Sequence, residues 1–405
     1  MKKSNIFNGF TLLVAVACLL TFTLNMINGR FLLGDFMVYY TAAANLISGG
    51  PVYLVSFYGG SGFYKYSPAT LFFFLPYMCF NFKAAAVIHF FILSAAYWYA
   101  FMVIRDLLTD YFPVTNIKHG TLLLSVSFCC IAIHFSREMF LGNINIILLL
   151  LCSLSIRSFL TGKYRQGGIL LGIVILTKPY LLILLLPLVL RKQWRALAWF
   201  SLTVFCGLVI PFIFPGPHKS ILMYGDWIQS ITTHSGDFPG MTSLDYLFRH
   251  FIPSWPAWGI LAIFFSICSL VALFILQNIY HEKQQGAVAG NSATNFTFEW
   301  FLLIALVPNL IKTDWVLLLF SAPLIAFMVF CTASRKQYWW IPVLVILLFF
   351  YGANSDDLLG RDLSHTILVS GLMGLGNFLL VVVALLMFLQ SKPLPSAQSS
   401  GRISS

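Results

Sequence analysis

Long apolar runs set the period of this chain. Gly9–Asn28, Ala84–Ile104, Ala196–Phe214, Pro256–Gln277 and Thr366–Gln390 each approach or exceed the roughly 20 residues that carry a helix across a bilayer. No soluble core needs so many. The pattern predicts an all-α polytopic membrane protein of roughly 10–12 transmembrane helices. Residues 1–391 would form one integral membrane domain, with a short polar tail over 392–405. Two long segments, 29–66 and 215–255, interrupt the apolar pattern and read as loops on one side.

Composition agrees. Hydrophobic residues make up 59% of the 405 and charged residues 9%, against roughly 25% charged in an average soluble chain. The apolar run after Lys2-Lys3 is too long for a signal h-region and lacks a small-x-small cleavage site, so it reads as a retained first span. The eight cysteines sit in apolar stretches without a CxxC pair, which fits buried thiols better than a metal or disulfide framework.

The net charge of +11 reports topology rather than nucleic-acid binding, because basic residues gather on the cytoplasmic side of membrane proteins. Arg157–Arg165, Arg191–Arg195, Arg335-Lys336 and the tail with Lys392 and Arg402 are the basic clusters. Placing them inside puts both long loops outside. In this layout Ser67–Phe82 is re-entrant or interfacial, and Lys178 tips a hairpin of Gly167–Thr177 and Pro179–Leu190. The alternative makes each segment a single span, with Lys178 in mid-membrane.

The polar inventory then collects on the outer side. Asp35 leads a short helical pattern with Phe36, Tyr40, Ala43, Ala44 and Ile47 on one face, stopped by Gly49-Gly50-Pro51. Asp35 is either the cap of that helix or a carboxylate held at the mouth of the membrane domain. Tyr39, Tyr40, Tyr53, Tyr58, Phe63, Tyr64 and Tyr66 crowd the same loop, as an interfacial aromatic belt or as a platform for sugar rings. Arg137 and Glu138 are placed to pair with each other. Asn143 and Asn145 open an apolar helix, with one amide more than capping needs. Lys178 is the sole charge between Arg165 and Arg191. It is either a snorkelling lysine or, beside the helix-breaking Pro179, a cation for an anionic lipid headgroup.

The order Asp35–Tyr39–Gly49-Gly50–Tyr53, Tyr66-Ser67-Pro68 with Pro76, Gly142-Asn143-x-Asn145, Gly168–Gly172–Lys178 and Arg191–Trp194 resembles glycosyltransferase family 87, polyprenyl-phosphate-mannose-dependent α-mannosyltransferases of the GT-C superfamily. Three departures stand out. Asn143 replaces the family's glutamine. Met241-Thr242-Ser243-Leu244 with Arg249 resembles a later motif without its asparagine. Val307-Pro308 and Lys312-Thr313-Asp314-Trp315 occupy the place of a Ser-Pro…Trp-His stretch without its histidine.

The resemblance implies inverting transfer of a sugar, mannose foremost, at the extracytoplasmic face of the plasma or inner membrane. The donor is a polyprenyl-phosphate sugar, and a lipid or glycan is the acceptor. A desolvated carboxylate suits the base, and a fixed cation suits the leaving phosphate. Asp35 and Lys178 are the candidates. Asn143, Asn145, Tyr39, Tyr53, Tyr66, Arg137, Ser243, Arg249 and Asp314 are the further donor- or acceptor-binding candidates. Membrane lipids are partners; no nucleic acid, cofactor or essential metal is expected. A flippase or transporter, or a polymerase or ligase of lipid-linked glycans, is the competing reading.

Overall fold

The computed structural model describes residues 9–29, 31, 33–57, 62–112, 120–234, 240–284, 289–352 and 354–391. Lys2, Arg30, Tyr58, Asp237, Lys392, Arg402 and the 392–405 tail lie outside the described residues. Apart from one isolated antiparallel bridge between Ser56 and Phe63, the described residues are helices and their connections. This is an all-α polytopic membrane protein.

The expected spans resolve into two populations. Gly9–Ile27, Phe82–Tyr111, Trp194–Ile213, Gly259–Gln284, Trp315–Ser334 and Leu372–Ser391 are long and apolar enough to cross a bilayer alone. Gly120–Cys129 and Ala132–Leu141 are together long enough but bend by 64°. Pro68–Cys79, Asn145–Leu160, Tyr164–Thr177, Pro179–Leu190 and Tyr338–Phe349 are shorter apolar elements. The best apolar window of Trp315–Ser334 is 89% buried, that of Gly9–Ile27 only 17%. The former is the inner helix, and the latter leaves its apolar surface to lipid.

Ser67–Phe82 is not a straight span: Pro68–Phe73 and Leu75–Cys79 are short 3-10 turns, each with a proline in its first turn. The second glycine-rich segment breaks at Lys178, whose backbone (φ −131°, ψ 91°) leaves the helix before Pro179. At about 1.5 Å per residue, Tyr164–Thr177 is about 21 Å long, short of a roughly 30 Å hydrocarbon core. It is shielded instead by protein. A Cβ on Gly168 would lie 2.7 Å from the Ala196 carbonyl, and one on Gly172 would lie 2.7 Å from the Thr203 Cβ. The two glycines let this helix press its backbone against Trp194–Ile213, as small-xxx-small pairs do between membrane helices.

Two polar locks hold the bundle. At the end opposite Lys178, the Arg191 guanidinium donates to Glu299 (3.0 and 2.7 Å) and Glu282 (2.9 and 3.1 Å), tying the Pro179–Leu190 arm to two other helices. Near Pro308, which lies inside the Ala289–Leu310 helix, Asn377 donates to the Ala305 carbonyl (2.9 Å) and to Asn309 Oδ1 (2.6 Å). Asn309 in turn donates to the carbonyls of Thr242 and Gly374. Buried amides surrounded by apolar side chains need such complete pairing.

The first loop helix runs Gly34–Ser48 and ends at Gly49 in the left-handed region (φ 77°). Its buried face is not the one the sequence pattern selects. Phe36, Tyr39, Ala42, Ala43 and Leu46 are buried, whereas Ile47 is 55% exposed. Phe36 and Ala43 belong to both stripes, so helical spacing fits either flank. Contact with Tyr66, Tyr64 and Phe74 decides for the Tyr39 side.

Candidate functional site

Asp35 lies in the first turn of the Gly34–Ser48 helix, one residue inside it; the cap position is Leu33. Its carboxylate turns to another helix end. Asn143 Nδ2 donates to Asp35 Oδ2 at 2.6 Å. Asn143 Oδ1 accepts from its neighbour Ile144 N–H (2.7 Å) and from the Tyr66 hydroxyl (3.3 Å). Tyr66 has one proton to give, so the Tyr39 hydroxyl, 2.9 Å away, donates to it. The result is a directional chain, Tyr39 to Tyr66 to Asn143 to Asp35, ending on the carboxylate.

Gly142 makes this meeting geometrically permissible. It ends the Ala132–Leu141 helix at φ +67°, and a Cβ there would lie 3.0 Å from the Cβ atoms of both Leu33 and Phe36. His89 fastens the junction. It stacks on Phe36 at 4.2 Å, donates from Nε2 to the Gly142 carbonyl (3.0 Å), and accepts at Nδ1 from the Tyr77 hydroxyl (3.0 Å). Nothing in the sequence reading singled out His89; its only signal is a lone imidazole in an apolar helix.

A second chain runs beside the first. The Lys178 ammonium donates to Asn145 Oδ1 at 2.5 Å, and Asn145 Nδ2 donates to Glu138 Oε2 at 2.9 Å. The other Glu138 oxygen accepts from Ile146 N–H at 3.0 Å. Lys178 is 8% exposed, and its Nζ stands 5.6 Å from the Tyr66 ring centre and 5.8 Å from that of Tyr180. It does not snorkel. The expected Arg137–Glu138 pair does not form, because the two Glu138 oxygens are taken up by Asn145 and Ile146 N–H. Arg137 instead lies over the Trp315 ring, 4.5 Å from its centre.

Burial dominates the electrostatics of the loop residues. Asp35 keeps some accessible surface, yet the protein packed around it pushes its pKa up to about 6. The Asn143 hydrogen bond opposes that rise, Asp314 adds to it, and Lys178 and Arg137 oppose it. These charges therefore all act on the Asp35 carboxylate. Burial likewise pushes the Tyr66 hydroxyl up to about 12, so it stays protonated and a donor.

Other candidates fall elsewhere or play supporting parts. The Tyr53 hydroxyl donates to the Tyr66 carbonyl (2.8 Å). Tyr39, Tyr53, Tyr64 and Tyr66 are all buried against one another, so they form neither an exposed belt nor an open sugar platform. Ser243 caps the Leu244–Phe251 helix by accepting from Tyr246 N–H (3.2 Å). Arg249 pairs with Asp245 one turn away (2.8 Å). No contact links Ser243 or Arg249 to Asp35 or Lys178 among the described residues.

The fold and this centre define a helical membrane protein with a carboxylate and an ammonium gathered, through two asparagines, at one end of its bundle. The family model described as glycosyltransferase family 87 matches residues 63–305, and the chain belongs to that family. It is a membrane glycosyltransferase, and the transporter alternative gives way. The matched span contains Tyr66, Arg137, Asn143, Asn145 and Lys178 and leaves Asp35 and Asp314 on either side. No curated protein and no solved structure matches the chain.

Proposed function

We propose that the chain transfers a hexose, mannose foremost, from a polyprenyl-phosphate donor to a hydroxyl of a lipid or glycan acceptor at the extracytoplasmic membrane face. The observation that carries this reading is the convergence of Asp35 and Lys178 on the paired amides Asn143 and Asn145. A displacement at an anomeric carbon is helped by a base at the acceptor hydroxyl and a cation at the leaving phosphate, the roles this reading gives to Asp35 and Lys178.

With Oδ2 held by Asn143, Asp35 Oδ1 takes the proton of the acceptor hydroxyl. The hydroxyl oxygen forms the new bond to the anomeric carbon. The bond from that carbon to the phosphate oxygen breaks, and its electron pair leaves with polyprenyl phosphate. Attack from the face opposite the leaving group inverts the anomeric configuration. The developing phosphate charge meets Lys178, and Arg137 provides a second cation fixed on Trp315. Preorganised donors of this kind stabilise a leaving group without reorganising in the transition state.

Purified protein incubated with polyprenyl-phosphate mannose and a membrane-lipid or glycan acceptor panel tests the reading. Release of polyprenyl phosphate coupled to formation of an elongated acceptor is the expected result. Absence of release from any hexose donor in a panel, with folded protein, would overturn it.

A further inference from the structure

Glu138 takes no direct part in that transfer. This side chain is fully buried among apolar helices, 0% exposed, with an acid where an apolar residue would pack at less cost. Resting on the proposed role of Lys178, we propose that Glu138 is a positioning residue. Through the Asn145 amide, it holds the Lys178 ammonium charged and aimed at the donor phosphate.

The polarity of the contacts allows one arrangement. An ammonium only donates, so Asn145 must turn its oxygen to Lys178. Its NH2 group then faces Glu138, which must accept. Glu138 also accepts from Ile146 N–H in the first turn of the Asn145–Leu160 helix. A negative charge is favoured there by the helix dipole. Both oxygens accept, as an ionised carboxylate does. The amide therefore connects a buried anion to a buried cation, its own dipole aligned between them.

The bridge explains why the second amide of the Gly142-Asn143-x-Asn145 motif is present: Asn143 serves Asp35, and Asn145 serves Lys178. It also keeps the two buried charges from direct contact. A lysine in close ion pairing with a carboxylate would offer a phosphate less of its charge. Here Asn145 takes one of the three ammonium donors, and the countercharge stands one residue further off.

Glu138→Gln keeps the size and removes the charge. The amide keeps one acceptor oxygen for two donors, so the Asn145 and Ile146 contacts cannot both survive, and the countercharge that steadies Lys178 through Asn145 is gone. In detergent-purified full-length protein assayed with polyprenyl-phosphate mannose, kcat/KM should fall at least about tenfold. A double-mutant cycle separates positioning from general packing. In a Lys178→Met background, Glu138→Gln should remove no more than about a further twofold. Losses that multiply, or wild-type turnover by Glu138→Gln, would overturn the proposal.

Thermal unfolding provides a second cycle that does not depend on the activity. Glu138→Gln leaves Lys178 as an uncompensated buried charge, so the double variant should unfold at a higher temperature than Glu138→Gln alone. If Glu138→Gln does not accumulate, accumulation of the double variant supports the pairing, and its failure overturns it. Were Lys178→Met to retain full transfer, the phosphate role of Lys178 would fall. The unfolding cycle would still report whether the two charges are coupled.

Discussion

Asn143 donates its amide N–H to the Asp35 carboxylate at 2.6 Å, across 108 positions of sequence. Asp35 stands inside its helix rather than at the cap, so the carboxylate points to a partner on another element. This distinguishes two consequences of substitution. Asp35→Asn should lose sugar transfer by roughly 10²–10⁴-fold, the scale of a removed general base, and Asp35→Ala should lose as much. Both should retain donor binding. Near-normal turnover by Asp35→Asn would transfer the base role to another carboxylate, with Asp314 the first to test.

Acidity provides an independent measure. A base must be deprotonated to act, and burial sets the Asp35 pKa at about 6. The kcat/KM of the free enzyme should therefore fall as pH drops through about 6 and level off above it. The Asn143 hydrogen bond stabilises the ionised form. Removing it in Asn143→Ala should raise the pKa and move this acid limb to higher pH. A limb that stays in place would dissociate Asn143 from the titrating group.

Lys178→Met should weaken donor affinity and slow release of polyprenyl phosphate, by roughly the 10²–10³-fold seen when one preorganised donor is removed from a transition state. Arg137→Leu should act in the same direction more weakly, because it retains some of the apolar contact with Trp315. Unchanged donor affinity in folded Lys178→Met would end its assignment to the phosphate.

Gly142→Ala tests the junction without touching a polar side chain. The left-handed backbone disfavours alanine by about 1–2 kcal/mol, and the added Cβ would press on Leu33 and Phe36. Unfolding temperature and transfer should both fall. The Asp35–Asn143 contact depends on this approach. A variant with normal activity would show that the helix ends tolerate separation.

Sidedness follows from basic-residue bias. In a background without accessible native thiols, Ser48→Cys should react with an impermeant maleimide added to intact cells, and Lys192→Cys should not. Both positions are exposed. The reverse pattern would place the Asp35 end in the cytoplasm.

The sequence by itself determined the solvent and the class. Uninterrupted apolar runs have no soluble alternative, and Gly49 and Pro179 mark breaks that any packing must respect, because φ above zero and a missing N–H are local properties. Asp35, Asn143, Asn145 and Lys178 were legible as candidates because polar groups are expensive among apolar neighbours. Partner choice was not legible. Periodicity placed Ile47 on the buried face, but two stripes share Phe36 and Ala43, and only contact with the tyrosine cluster selected between them. Adjacency suggested an Arg137–Glu138 pair, whereas contacts with other parts of the chain take one to Trp315 and the other to Asn145. His89 was silent because an imidazole declares its role only through what it touches, here Phe36, Tyr77 and the Gly142 carbonyl. Burial cost is a property of the residue and can be read along the chain. Which atom satisfies that cost depends on distances between residues far apart in sequence, and only the tertiary structure fixes them.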